Sequence, residues 1–144
     1  VDGEVLSIDS LDTSDEYAYK VVINTTYKDV AVLRAPMNAS VFYLKKNKGT
    51  RLSLDSPLAH KINENVTIVF EDANKNKIKL THILKQSLCG VSVDLENRNK
   101  VVQSARYGLM VNGVTEIYLP KNFRISLILG EETIASKSLV GYFT

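Results

Sequence analysis

Short runs of β-branched and aromatic residues, separated by polar segments, recur along the chain. Residues 19–23 (Tyr-Lys-Val-Val-Ile) and 40–44 (Ser-Val-Phe-Tyr-Leu) are two such runs, and this pattern predicts β-strands. Residues 66–71 and 77–83 are two more, and they flank the polar segment 72–76. That arrangement is typical of a β-hairpin with a loop of about five residues.

The C-terminal third continues the strand pattern. Apolar side chains alternate with Arg124 and Ser126 over residues 123–129, which predicts one strand with a single face toward the core. Residues 130–132 (Gly-Glu-Glu) then predict a turn before a last strand at 139–143. Helical periodicity is weak, and only residues 56–61 suggest a short helical turn or a plain loop. We therefore expect a compact, mainly antiparallel β fold.

Length and composition are those of an ordinary globular domain. It has 144 residues, of which 44% are hydrophobic and 24% charged, as expected for one globular domain spanning residues 1–144. The net charge of +2 does not by itself point to nucleic acid. No apolar run is long enough for a transmembrane helix, and no signal-like segment opens the chain. The chain starts with Val1 rather than Met, so the sequence leaves open whether another segment precedes Val1.

A single cysteine, Cys89, excludes an intrachain disulfide and fits a reducing compartment. The two histidines and this cysteine have no spacing typical of a metal site, so we expect no bound metal. These features together predict a cytoplasmic protein.

Four ordered motifs run along nearly the whole chain. They are Val-Asp-Gly-Glu-Val at 1–5, Val-Ala-Val-Leu-Arg-Ala-Pro at 30–36, Asn-Glu at 63–64, and Arg-Tyr-Gly-Leu-Met-Val-Asn-Gly-Val-Thr-Glu-Ile-Tyr-Leu-Pro at 106–120. In this order and spacing they resemble the short branch of the phosphatidylserine decarboxylase family. The resemblance implies a compact antiparallel β sandwich or half-barrel and a carboxy-lyase ancestry in phospholipid metabolism.

The same resemblance implies particular chemistry at three positions. In the family, an Asp-His-Ser arrangement breaks a Gly-Ser bond, and the serine becomes the pyruvoyl group that acts in decarboxylation. Asp2 matches the aspartate, Ala31 stands in place of the histidine, and Gly113-Val114 stand in place of Gly-Ser. Alanine has no titratable group and valine has no hydroxyl, so we expect neither self-cleavage nor a pyruvoyl cofactor. Asp2 has a plainer interpretation as part of an Asp-Gly turn before the first strand.

Other residues are poor replacements for the missing groups. Thr115 carries a hydroxyl, but a shift of one residue along a strand turns a side chain to the opposite face. His82, on a predicted strand, is more simply a satisfied or exposed side chain than a base, and His60 lies in a polar loop. Cys89 has no neighbouring base in the sequence, so we do not expect it to be a nucleophile.

Arg34 and Arg106 are the candidate ligand-binding residues. Arginine suits a phosphate or carboxylate group, although both residues could equally be structural ion-pair partners. The leading hypothesis is a decarboxylase-like pseudoenzyme that acts as a binding, regulatory or partner module in phospholipid metabolism. Its partner would be an active family member or an anionic lipid headgroup, in the cytoplasm or peripherally at the inner face of a membrane. The alternatives are an active, differently modified decarboxylase and a purely structural interaction module.

Overall fold

The computed structural model describes residues 1–11, 16–49, 63–85, 90–135 and 137–144. Within these ranges the chain forms 13 β-strands and no helix. The strands are β1 Gly3–Ser10, β2 Tyr19–Thr25, β3 Val32–Arg34, β4 Ala39–Asn47, β5 Asn65–Glu71, β6 Lys77–Leu84, β7 Ser92–Val93, β8 Lys100–Val101, β9 Arg106–Leu109, β10 Gly113–Leu119, β11 Phe123–Ile125, β12 Glu132–Thr133 and β13 Gly141–Phe143.

One large sheet organises the fold. It has 8 strands in the order β12-β1-β2-β10-β6-β5-β4-β8, and every neighbouring pair is antiparallel. The edge strands β12 and β8 are not paired with each other, so the sheet does not close into a barrel. The mainly β, antiparallel fold that the sequence predicts is confirmed.

The predicted hairpin is present as β5 and β6. Asp72 explains its tight loop, because its Oδ1 accepts hydrogen bonds from the backbone N–H groups of Asn74 and Asn76, both at 2.9 Å. Lys75 takes a left-handed conformation with φ 66°. A side-chain oxygen that satisfies two loop donors stabilises such a turn and fixes the register of the flanking strands.

Two small sheets complete the fold: β3-β9-β7, and the pair β11-β13. Tyr107 on β9 packs against Phe70 on β5, with ring centroids 5.8 Å apart, so the three-stranded sheet lies over the large one. Apolar side chains from all three sheets form one core, which includes Val21, Ile23, Leu33, Ile68, Phe70, Leu80, Tyr107, Ile117, Leu119 and Phe123. A face of the large sheet is thereby removed from water, and this burial is the main driving force for folding.

The prediction of one strand over residues 123–129 is wrong in its second half. Strand β11 ends at Ile125, and the chain then turns where the Glu131 N–H donates to the Ile128 carbonyl at 3.0 Å. Ile128 and Leu129 are 70% and 65% exposed, so their apolar character does not reflect burial. Gly130 at φ 80° gives the backbone the left-handed conformation that this turn requires.

The turn predicted at 130–132 therefore lies slightly earlier, and Glu132 already belongs to β12. The last predicted strand, 139–143, is present only as β13 over Gly141–Phe143, paired with β11. Residues 56–61, considered as a helical turn, lie outside the described residues.

Substituting Gly108 with alanine tests the small sheet. Gly108 is paired with Leu33 on β3 and Val93 on β7, and an added Cβ would collide with the Ser92 carbonyl oxygen. We expect Gly108→Ala to lower the free energy of unfolding by about 2 kcal/mol, measured by urea denaturation.

The matched control is Val102→Ala, at an exposed position. Its free energy of unfolding should stay within about 0.5 kcal/mol of the wild-type value. An equal effect of the two substitutions would contradict the close backbone approach at Gly108.

Candidate functional site

Strand β10 lies at the centre of the large sheet and carries the site. It is hydrogen-bonded to β2 on one side and to β6 on the other. Alternation along a strand sends successive side chains to opposite faces. Thr115, Ile117 and Leu119 line an internal cavity. Val114 therefore lies on the other face, together with Glu116 and Tyr118.

Polar groups occupy that second face. The Tyr118 hydroxyl donates to Glu116 Oε2 at 2.6 Å, and Lys20 Nζ lies 3.2 Å from the same oxygen. Lys79 Nζ lies 4.2 Å from the centroid of the Tyr118 ring. Burial, followed by the hydrogen bond to Glu116, raises the pKa of Tyr118 above its usual range. This phenol therefore stays neutral and acts as a donor.

The backbone brings the three signature positions, Asp2, Ala31 and Val114, to one region. The Asp2 carbonyl accepts from Thr25 Oγ1 at 2.6 Å, and Thr25 is paired with Gly113, next to Val114. The Ala31 carbonyl accepts from the N–H of Met110 at 2.8 Å, just before the turn into β10. Asp2 thus lies beside the start of β10, and Ala31 lies beside Met110, four residues before Val114.

The side chains of Asp2, Ala31 and Val114 do not form a catalytic arrangement there. Asp2 Oδ1 accepts a hydrogen bond from the N–H of Ala135 at 2.7 Å, which fastens the segment after β12 to the start of the chain. The plainer expectation of an Asp2-Gly3 turn is wrong, since Gly3 already begins β1. Val114 is only 3% exposed and offers no polar atom, while Ala31 contributes a methyl group.

Gly113 has a steric role. A Cβ at this position would lie 2.6 Å from the Ile83 carbonyl oxygen and 2.6 Å from Met110 Sδ. The structure places Gly113 as the first residue of β10, directly after a bend at residues 111–112, and close packing requires glycine there.

A buried polar network lies on the cavity side of β10. His82 on β6 is 0% exposed, with Nδ1 2.8 Å from Thr115 Oγ1 and Nε2 2.7 Å from the Tyr107 hydroxyl. Burial lowers the pKa of His82 to about 3, so the imidazole is neutral at physiological pH. Burial also raises the pKa of Tyr107. His82 is thus a core side chain with both ring nitrogens hydrogen-bonded. This is one of the two structural roles, buried with partners or exposed, that the sequence suggested for it.

Sequence reasoning missed the partners of His82, although one signal was present. His82 is in phase with Ile78, Leu80 and Leu84, all of which are buried. A histidine in the apolar phase of a strand requires buried hydrogen-bond partners, because a buried polar group without them costs several kcal/mol.

The cavity has a volume of about 480 Å³ and was not anticipated from the sequence. Tyr107 and Thr115 lie in its wall, and so does Arg34, whose Nη1 donates to the Ser104 carbonyl at 2.9 Å. Arg106 is paired with Arg34 across β3 and β9, but it is exposed and does not line the cavity. Of the two candidate ligand-binding arginines, the structure places one in the cavity wall.

The described parts of the chain contain no group of three or more His, Cys, Asp or Glu side chains able to hold a metal ion. None of the described segments forms a helix long and apolar enough to span a bilayer. His60 and Cys89 lie outside the described residues.

Fold and site together define a mainly β protein whose central strand, β10, begins with Gly113 and Val114, the positions that the sequence resemblance aligned with Gly-Ser. Comparison with known proteins identifies the relatives. The phosphatidylserine decarboxylase proenzymes of Rickettsia africae (strain ESF-5), Rickettsia bellii (strain OSU 85-389) and Rickettsia akari (strain Hartford) are each 26% identical over 141 residues, covering 97% of this chain and 61% of the relative. The chain is thus a distant relative of the phosphatidylserine decarboxylase family, as its motifs predicted.

The chain spans about three fifths of the length of these curated relatives, 61% in each case. No protein-family model matches it, and no solved structure matches it significantly.

The buried histidine makes a prediction about pH. The pKa of His82 is about 3 in the folded state, and an unfolded histidine titrates near the ordinary value of about 6.5. Below that value the unfolded state therefore binds a proton that the folded state does not. Stability should fall as the pH drops from about 6.5 toward 3, and His82 should account for about 2 kcal/mol between pH 7 and pH 5.

The measurement is urea denaturation of the wild type and of His82→Gln at pH 7 and pH 5. The variant should be less stable at pH 7 but should lose about 2 kcal/mol less than the wild type on acidification. Equal losses in the two proteins would show that His82 is not held neutral. Tyr107→Phe, which keeps His82, should retain the pH dependence.

Proposed function

We propose that this chain is a phosphatidylserine decarboxylase-like protein that does not process itself. In this proposal it is a pseudoenzyme that acts as a binding or partner module in phospholipid metabolism. The observation that carries the proposal is Val114, an apolar and buried side chain that stands where the reactive serine would be.

The chemistry of self-cleavage supports the proposal at two independent points. A hydroxyl must attack the preceding carbonyl, and a base must take up its proton. Val114 has no hydroxyl, and Ala31, beside the turn into β10, has no basic atom. Asp2, the third group, already accepts a hydrogen bond from Ala135. Without cleavage there is no new terminus to carry a pyruvoyl group, so no cofactor is proposed.

The frame around the missing groups supports a binding role. The protein has the central sheet and a cavity, and Asp2 lies beside the start of β10. These features do not depend on the reactive atoms. We propose an active family member or an anionic lipid headgroup as the partner, in the cytoplasm or at the inner face of a membrane. A purely structural role in an assembly is the competing proposal, and it would need no occupant of the cavity.

One contact favours a second candidate function. Thr115 Oγ1 lies 2.8 Å from His82 Nδ1, which pairs a hydroxyl with a neutral imidazole. An active enzyme could use this pair, with His82 taking the hydroxyl proton while Thr115 Oγ1 bonds to the carbonyl carbon of Val114. The Val114–Thr115 C–N bond then breaks, His82 returns the proton to the freed Thr115 nitrogen, and the ester that results is split by elimination or by water. The low pKa of His82 weighs against it, because the imidazolium formed in that step would be buried without a carboxylate beside it in the described residues.

Intact-mass spectrometry tests both candidates. For the non-processing protein we expect one polypeptide, of 16.0 kDa for the 144-residue chain, and no carbonyl group that reacts with hydroxylamine. Val114→Ser should also stay uncleaved, because the restored hydroxyl still lacks a base at Ala31.

Fragments separated between Gly113 and Val114 in the wild type would overturn the proposal. Fragments separated between Val114 and Thr115 would instead establish the second candidate, and they should vanish in Thr115→Val. Val102→Thr serves as the control, since it adds a hydroxyl at an exposed position that follows edge strand β8, away from the signature positions.

A further inference from the structure

The internal cavity lies on the opposite face of β10 from Val114. Its wall includes Thr115, Ile117 and Leu119 of β10 and Ile23 of β2. The volume of about 480 Å³ falls in the range of small-molecule sites, roughly 300–1,000 Å³. A ligand held there would not touch the position that lacks the serine hydroxyl.

The charge of the wall has one sign. Arg34 and Lys137 are the charged side chains among the described residues that line the cavity, and no Asp or Glu is among them. Arg34 is half-buried, and its Nη1 donates to the neutral Ser104 carbonyl, with no ion pair to a carboxylate within the described residues. A partly desolvated guanidinium with no carboxylate partner favours an anion beside it.

The remaining wall is mainly apolar, and so is the rim. Ile134, Leu139 and Tyr142 line the cavity and are also exposed to solvent. The Tyr107 and Thr115 hydroxyls are already hydrogen-bonded to His82. A ligand in the cavity therefore needs few polar atoms to satisfy them. Exposed apolar side chains at the mouth of an apolar cavity mark a site for an apolar ligand.

We propose that this cavity binds a single-chain amphiphile with an anionic head, the head paired with Arg34 and the chain lying along the β10 and β2 wall. If each water-sized group takes about 30 Å³, the cavity holds on the order of fifteen such groups. That fits one alkyl chain and excludes most of a two-chain lipid. The assignment rests on the binding role proposed above and names its ligand class.

Isothermal titration calorimetry with dodecanoate at pH 7.5 and low salt tests the assignment. Dodecanoate should bind saturably, and dodecanol should bind at least tenfold more weakly because it lacks the charge. Arg34→Gln should weaken dodecanoate binding by roughly ten- to a hundredfold, the loss expected for a charge-assisted hydrogen bond. Arg106→Gln, the matched control outside the cavity wall, should change the affinity by less than about threefold.

A second pair of variants leaves Arg34 in place. Leu139→Asp puts a negative charge on the rim and should weaken dodecanoate binding by about tenfold or more, while Val102→Asp, on an exposed residue outside the wall, should have little effect. Dodecyl phosphate distinguishes the head groups: binding in parallel with dodecanoate supports recognition by charge, and binding of dodecanoate alone assigns the carboxylate.

Absence of saturable dodecanoate binding would overturn the assignment, and so would equal affinity for dodecanol or an unchanged affinity in both Arg34→Gln and Leu139→Asp. The intact mass of the same sample reports separately on self-cleavage. An uncleaved protein that fails to bind would therefore refute the ligand and leave the non-processing proposal standing.

Discussion

The hydrogen bonding of β10 on both of its edges is the constraint on which the other features depend. With β2 on one side and β6 on the other, this strand cannot shift its register without disrupting two ladders at once. Register in turn decides which side chains face the cavity. Thr115, Ile117 and Leu119 line the cavity because the register puts them there, and Val114 lies opposite for the same reason.

The buried network around His82 is a second consequence of this register. Three strands, β6, β9 and β10, each contribute one polar side chain, and each hydrogen bond joins different strands. A polar group in a core must be satisfied, so the network ties the small sheet to the large one at one defined position. The low pKa of His82 follows from the same burial, and it keeps a charge out of the core.

Sequence reasoning succeeded where the signal is local. The hairpin of β5 and β6 was predicted from two apolar runs and the polar loop between them, and both strands are present almost to the residue. The run 123–129 misled because Ile128 and Leu129 are exposed, and apolar character alone does not distinguish an exposed turn from a buried strand.

The candidate site was predictable only in part. The motifs supplied Asp2, Ala31, Gly113 and Val114, and the fold brings their backbones together. The cavity could not be anticipated, because Ile23, Arg34 and Ile117 are far apart in sequence and meet only through pairing of distant strands. Pairing of that kind is specified by the whole fold, and no local pattern reports it.

Separation of the two faces of β10 has a functional consequence. Gly113 is held by contact with the Ile83 carbonyl and Met110, which is a requirement of packing and is independent of any reaction at the next residue. The apolar side chain of Val114 lies on one face of the strand, while Thr115 and Arg34 line the cavity on the other side. The two proposals made for this protein are therefore structurally independent, because the pleat of a single strand keeps the position proposed to have lost its hydroxyl and the proposed binding residues on different faces.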